Sequence, residues 1–136
     1  MAEITSPVYL YILMRTDLAS MNPGKAVAQG AHAANQCIYE ARNSGKEDLV
    51  TMVAEWEAET QKGFGTTITL AVKERELRNF VTIGKALGIH CGNTHDPTYP
   101  LRDGEFLHLI PLDTCGYFFG RKNELEIVLK GLELHP

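Results

Sequence analysis

Seven consecutive residues near the start of the chain, Val8 to Met14 (VYLYILM), are apolar or aromatic without interruption. A strand with one wet face alternates polar and apolar residues, so an unbroken run of this length reads as a strand covered on both faces. The pattern that follows supplies the cover. Asn22-Pro23-Gly24 marks a turn, and a helix runs from about Lys25 to Arg42, ended by Asn43-Ser44-Gly45. Asp48 precedes Leu49, Met52, Val53 and Trp56, which recur at helical spacing and give a second helix one apolar stripe. Thr66 to Val72 (TTITLAV) is β-branched and reads as a second strand. A third helix follows from about Glu74 to Leu87, with Gly88 as its terminator. Ile89 to His95 is a weak strand candidate and Phe106 to Ile110 (FLHLI) a stronger one. Asn123 with Glu126 three residues later predicts a capped last helix reaching about Lys130. Strands alternating with helices predict α/β layers around one mixed sheet. The length, 136 residues, suits a single domain over residues 1–136.

The first helix carries polar side chains at Lys25, Gln29, His32 and Gln36. At about 100° per residue these four lie within roughly 60° of one another, and the residues between them are nearly all small or apolar. A cation, two amides and an imidazole thus share one stripe beside a loop at the end of a strand, where open α/β sheets place their sites. A partly solvated helix face with ordinary polar residues fits the same spacing.

Composition narrows the function classes. The net charge of −4 repels phosphate as a whole, so a nucleic-acid partner needs a local basic patch. Its candidates, among them Arg15, Lys25, Lys62, Arg121 and Lys122, are scattered in sequence. Three cysteines, Cys37, Cys91 and Cys115, are an odd number at irregular spacing and read as reduced thiols of a cytoplasmic protein. No apolar run is long enough to span a membrane, and MAEITSP lacks the basic start and apolar stretch of a secretion signal. His90, Cys91, His95, Asp96, His108 and Cys115 are metal-ligand types, yet their spacing fits no zinc pattern. Asn22-Pro23-Gly24-Lys25 lacks the first glycine of a phosphate-binding loop, where Ala19 stands, and its Ser or Thr, where Ala26 stands. Ser20, His32 and Asp96 could be drawn as a triad, but no nucleophile-elbow sequence supports one.

The segment Arg15-Thr16-Asp17-Leu18, followed by Gly24-Lys25-Ala26-Val27-Ala28-Gln29-Gly30-Ala31-His32-Ala33-Ala34, resembles the signature of the type 2 peptidyl-tRNA hydrolase family. That signature is a strand ending in R-T/N-D-L, a Gly-Lys loop end, and a helix reading K-x-A-A-Q-x-x-H-A-A. Trp56, TTITLAVKERELRNF, KALGI, FLHLIP and VLKGLELH continue the likeness with less specificity, from about Val8 to His135. The resemblance implies a three-layer α/β/α sandwich with a four-stranded mixed sheet, no cofactor and no metal. It implies a peptidyl-tRNA substrate, with hydrolysis of the ester between peptide and terminal ribose. Lys25, Asp96, His32 and Gln29 become the expected catalytic residues; Arg15, Thr16, Asp17 and Thr98 become the expected substrate-binding ones. A homodimer is one assembly that the sequence leaves open.

Two departures stand out. The family carries D-A-G-R-T-Q-I where this chain has Asp96-Pro97-Thr98-Tyr99-Pro100-Leu101; the Asp is kept, the Gly and the later Thr are not. Thr114 to Gly120 (TCGYFFG) reads as an insertion between the last strand and the last helix. Its aromatic run suits an extra strand or edge cover, which is preferred because aromatic runs are commonly buried, or a stacking platform for a nucleotide.

Ester hydrolysis needs an attacking water, stabilisation of an oxyanion and a proton for the leaving oxygen. Lys25 at a helix start adds its charge to the positive helix end, which suits an oxyanion or a phosphate. Asp96 is expected to pair directly with Lys25 or to polarise a water, and Gln29 and His32 to position the ester. Asp17 also fits a turn or capping residue, and His32 a helix-face histidine. Arg15, Lys25, Lys62 and Arg121 or Lys122 are expected to gather on the face that bears the site. The alternative reading is a module of the same fold that binds tRNA or another RNA without turnover; a protein-interaction domain that has kept only the fold is a third.

Overall fold

The computed structural model of the chain describes residues 5–136; Met1–Ile4, which open the segment read for a secretion signal, lie outside them. The order of elements is β1 (Val8–Arg15), α1 (Pro23–Arg42), α2 (Glu47–Glu57), β2 (Thr67–Val72), α3 (Glu74–Ala86), β3 (His90–Asp103), β4 (Phe106–Arg121) and α4 (Lys122–Val128). The sheet order is β2-β1-β4-β3. β1 runs parallel to β2 and antiparallel to β4, and β3 pairs antiparallel with β4. The sheet is therefore mixed, with the apolar run of β1 in its interior.

Alternation along β1 divides the core. Val8, Leu10, Ile12 and Met14 pack with Ala33, Cys37 and Ala41 of α1 and with Leu49, Val53 and Trp56 of α2. Tyr11 and Leu13 pack on the other face with Leu77 and Val81 of α3 and Leu125 of α4. Helices on both faces make the expected three-layer α/β/α sandwich. At Gly84 the third helix approaches closely: a Cβ there would stand 2.6 Å from the Phe118 ring. No described helix is long and apolar enough to cross a membrane.

The first helix starts two residues before the expected Lys25, taking in Pro23 and Gly24 of the segment read as a turn. Asn22 Oδ1 accepts from Lys25 N at 2.8 Å, and Pro23 occupies the first turn, where its missing N–H costs nothing. The last third of the chain differs from expectation. Thr114 to Gly120 is no insertion: Cys115 to Gly120 of β4 pair with β1 on one side and largely with β3 on the other. Burial on both faces is what its aromatic run encodes, as in β1. Phe106 to Ile110, read as the last family strand, is instead the outer part of β4. This outer part forms a hairpin with Tyr99–Asp103 of β3. The last helix is capped at Arg121 and not at Asn123, whose side chain accepts only from Glu124 N. VLKGLELH, likened to a closing helix, leaves the helical path. Glu133 O accepts from Ala71 N at 2.8 Å, and His135 N donates to Thr69 O at 3.0 Å, so the tail covers the free edge of β2.

Candidate active site

The polar stripe of α1 lies along β3. Lys25 Nζ donates to Pro100 O at 2.7 Å and stands 5.1 Å from the centre of the Tyr99 ring. Gln29 Nε2 donates to Asp96 Oδ2 at 2.7 Å, and Gln36 Nε2 donates to Asn93 O at 3.0 Å. His32 sits between them on the same stripe and is exposed. Three of the four stripe residues thus fasten α1 to β3, the outermost strand, so the stripe is not an idle solvated face.

Asp96 occupies an irregular stretch of β3. The pairing with β4 slips between Thr94 and His95 and again between Asp96 and Tyr99, and such bulges re-aim side chains. Its second oxygen, Oδ1, accepts from Thr98 N at 2.9 Å and from Thr98 Oγ1 at 3.4 Å. Burial works to raise the carboxyl pKa, but the Gln29 amide, the Thr98 donors and the charge field of His32 outweigh it. The group is held below the ordinary aspartate value.

Gln29 is only 3% exposed, and its other end is also fixed. Thr114 Oγ1, fully buried on β4, donates to Gln29 Oε1 at 2.6 Å. A hydroxyl donor on that side makes the amide present its NH2 to Asp96. Thr114 was missed as a site residue because its segment reads as an insertion. Its sequence signal is a polar residue at the head of an otherwise apolar, aromatic strand.

Lys25 and Asp96 do not form the expected ion pair; the ammonium goes to the Pro100 carbonyl. The reason is that β3 runs on past Asp96 to Asp103, which brings a main-chain acceptor to the lysine. Each charge keeps its own partner, and both belong to one side of the sheet.

Arg15, Thr16 and Asp17 stand at the end of β1. The Arg15 guanidinium is buried, with Nε 2.8 Å from Asp17 Oδ1, Nη1 donating to Asp113 O at 3.0 Å, and Nη2 3.5 Å from Glu74 Oε2. Asp17 also accepts from Glu74 N at 3.2 Å, which caps the start of α3. Hydrogen bonding from Arg15 is the largest influence on the Asp17 carboxyl and helps hold its pKa below the ordinary value. Thr16 is exposed, with its N–H and hydroxyl both directed at Val72 O. Arg15 and Thr16 also border a groove of about 720 Å³ lined by Met14, Met21, Val27 and Gly30.

The expected gathering of cations does not occur. Arg121 faces Val8, at the start of β1, and bonds to Ser6 O and Glu55. Lys122 pairs with Glu126 at 2.7 Å, and Lys62 precedes β2, away from the strand end that Val72 forms beside Thr16. The register of β1 with β4 separates Arg121 and Lys122 from Lys25, and sequence position carries no trace of that. Among the described residues, no three His, Cys, Asp or Glu side chains come together as a metal cluster would require.

The family model described as peptidyl-tRNA hydrolase PTH2 matches residues 8–100, a span that runs from β1 through Asp96 to Pro100. No curated protein matches the chain. Among solved structures, a protein of unknown function from Agrobacterium tumefaciens strain C58 aligns over 95% of this chain and 98% of its own, with a TM-score of 0.56 and 10% identity. At that identity the likeness concerns the fold.

Proposed function

The chain belongs to the type 2 peptidyl-tRNA hydrolase family, and on that footing we propose that it hydrolyses the ester joining a peptide to the terminal ribose of tRNA. The observation that carries the reading is the Gln29–Asp96 contact with Lys25 nearby on the same helix stripe, all inside the span the family model matches. Asp96, kept ionised by Gln29 and Thr98, accepts a proton from the attacking water. The water oxygen bonds to the ester carbonyl carbon, and the carbonyl oxygen takes up the negative charge. That charge meets the Lys25 ammonium and the positive end of α1. Collapse breaks the bond to the ribose oxygen, which leaves with the proton returned by Asp96, giving a free peptide and free tRNA. The separate anchoring of Lys25 and Asp96 suits this division of labour, because an ion pair between them would spend both charges on each other.

His32, exposed on the stripe, contacts the arriving ribose or its phosphate. Thr16 and Asp17 flank the approach, with Arg15 beneath them holding Asp17 in place. Thr98 acts by holding Asp96. The site of action is the cytoplasm, which keeps the three thiols reduced. The test is release of labelled N-acetyl-aminoacyl groups from tRNA by the purified chain. Turnover that Asp96→Asn abolishes supports the reading. Bound tRNA with an intact ester would replace it with the non-catalytic binding module.

A further inference from the structure

Beyond Asp96 the β3–β4 hairpin leaves the body of the sheet. β1 accompanies β4 only as far as the Met14–Cys115 pair, so residues 99–110 have one another for partners. Gly104, at φ 61°, makes the tight Gly104-Glu105 turn at the tip. Tyr99 faces Ile110, Leu101 faces His108 and Asp103 faces Phe106. A period of two places these six side chains on one face of the ribbon, and the 3.7 Å approach of His108 to Asp103 agrees. Tyr99 identifies the side. Its hydroxyl lies 3.0 Å from Ser20 Oγ and its ring lies beneath Lys25, so this face looks toward the candidate site. Phe106 on it is 73% exposed, while Leu101 and Ile110 are half-buried. A two-stranded ribbon is marginal in water by itself, and large apolar side chains displayed on one mark contact surfaces. Leu107 and Leu109 are exposed on the opposite face; what distinguishes this one is its continuity with the site through Tyr99.

We propose that this face of the ribbon seats the peptide half of the substrate, as an extended apolar segment running from the ester toward the tip. The inference rests on the hydrolase reading and adds to it a class of preferred substrate. Three observations favour this occupant. The face is continuous with the site, because Tyr99 contacts the Lys25 side chain and follows Asp96 by three residues. Its charge turns RNA away: between Asp96 and Asp113 the only Lys or Arg is Arg102, set against Asp96, Asp103, Glu105 and Asp113. That leaves the peptide as the half of the ester the ribbon can meet. Its length also fits, since Tyr99 to Asp103 spans about 13 Å, room for about four extended residues.

The contact is made by side chains and not by adding a strand. Asn93 O and Pro100 O at the outer edge of β3 are taken by Gln36 and Lys25, and Pro97 and Pro100 have no N–H to offer. Affinity therefore follows apolar content, not length alone.

The test uses the full chain and adenosine carrying a peptide through a 3′-amide, which cannot be hydrolysed. The peptides are acetyl-leucyl, acetyl-tetraleucyl and acetyl-tetraseryl, and calorimetry reads affinity. The tetraleucyl compound binds about tenfold tighter than either of the others, as burial of one or two apolar side chains gives. Phe106→Ser and Leu101→Ser each remove that gain and leave the affinity of the acetyl-leucyl compound unchanged. Leu107→Ser, on the opposite face, keeps the gain, and thermal unfolding verifies that all three variants are folded. Equal affinities in the wild type overturn the proposal, as does loss of the gain in Leu107→Ser. So does a dimer, seen by sedimentation, that Phe106→Ser dissociates, because the face would then belong to a second copy. Binding is read without turnover, so the two readings fail separately. A chain that shows the gain but releases no peptide from tRNA sinks the hydrolase reading alone; an active chain without the gain sinks the peptide seat alone.

Discussion

The Nε2 of Gln29 donates to Oδ2 of Asp96 at 2.7 Å, and this bond joins the buried side of α1 to a carboxylate on the outermost strand. The amide has no freedom to turn, because Thr114 donates to its oxygen from the neighbouring strand. A chain of three side chains from α1, β3 and β4 therefore orients Asp96, and with the Thr98 donors it holds the carboxyl pKa low.

Loss of Gln29 has a direct pH consequence. The folded-state pKa of Asp96 is lowered, with the Gln29 bond the largest lowering influence against the opposing effect of burial. The stability this contributes is present above the unfolded-state pKa and is lost as pH falls through the folded one. In Gln29→Leu the Asp96 titration, followed by carboxyl NMR shifts, moves upward, and the acid limb of turnover moves with it. An unchanged Asp96 titration in a folded Gln29→Leu chain counts against the arrangement.

Thr114→Val keeps shape and burial but leaves Gln29 Oε1 without its donor. An unsatisfied buried acceptor costs about 1–3 kcal/mol, so the urea midpoint falls. Thr114→Ser restores the hydroxyl and recovers much of the loss. Equal stability of the valine variant and the wild type excludes a role for this bond.

Lys25→Ala folds, because the half-buried side chain makes one hydrogen bond, to Pro100 O, and lies over one face of the Tyr99 ring, and circular dichroism is unchanged. Turnover drops by about 10²–10³-fold, the usual effect of removing one donor to a developing oxyanion. A folded variant with wild-type turnover removes Lys25 from the mechanism.

Charge reversal far from the site leaves function intact. Lys122 follows Arg121, which faces Val8 at the start of β1, and β1 is about 23 Å long. That exceeds the Debye length of about 8 Å at physiological salt. Lys122→Glu therefore keeps wild-type turnover on peptidyl-tRNA, measured at that salt. A severalfold loss places tRNA across the far end of the molecule.

Much of the candidate site is legible in the sequence. Lys25, Gln29 and His32 share a helix face by spacing alone, and Asp96 stood out through the likeness to the family. Asn22-Pro23-Gly24 places the start of α1 to within two residues, since caps and turns act over a few residues. The reading failed where strands continue or pair. TCGYFFG encodes burial on both faces but says nothing of its neighbours, so it reads as an insertion and gives Thr114 no visible role.

By itself, then, the sequence determined β1, β2 and the first three helices and which of the candidate side chains α1 carries, because period, caps and turn chemistry are local. Only the tertiary structure decided their partners. Thr114 meets Gln29 across 85 residues of chain, and Lys25 meets Pro100 because β3 extends past Asp96. Strand order and register choose such pairs, and they follow from the packing of the whole sheet between its helices, which no short stretch of sequence contains.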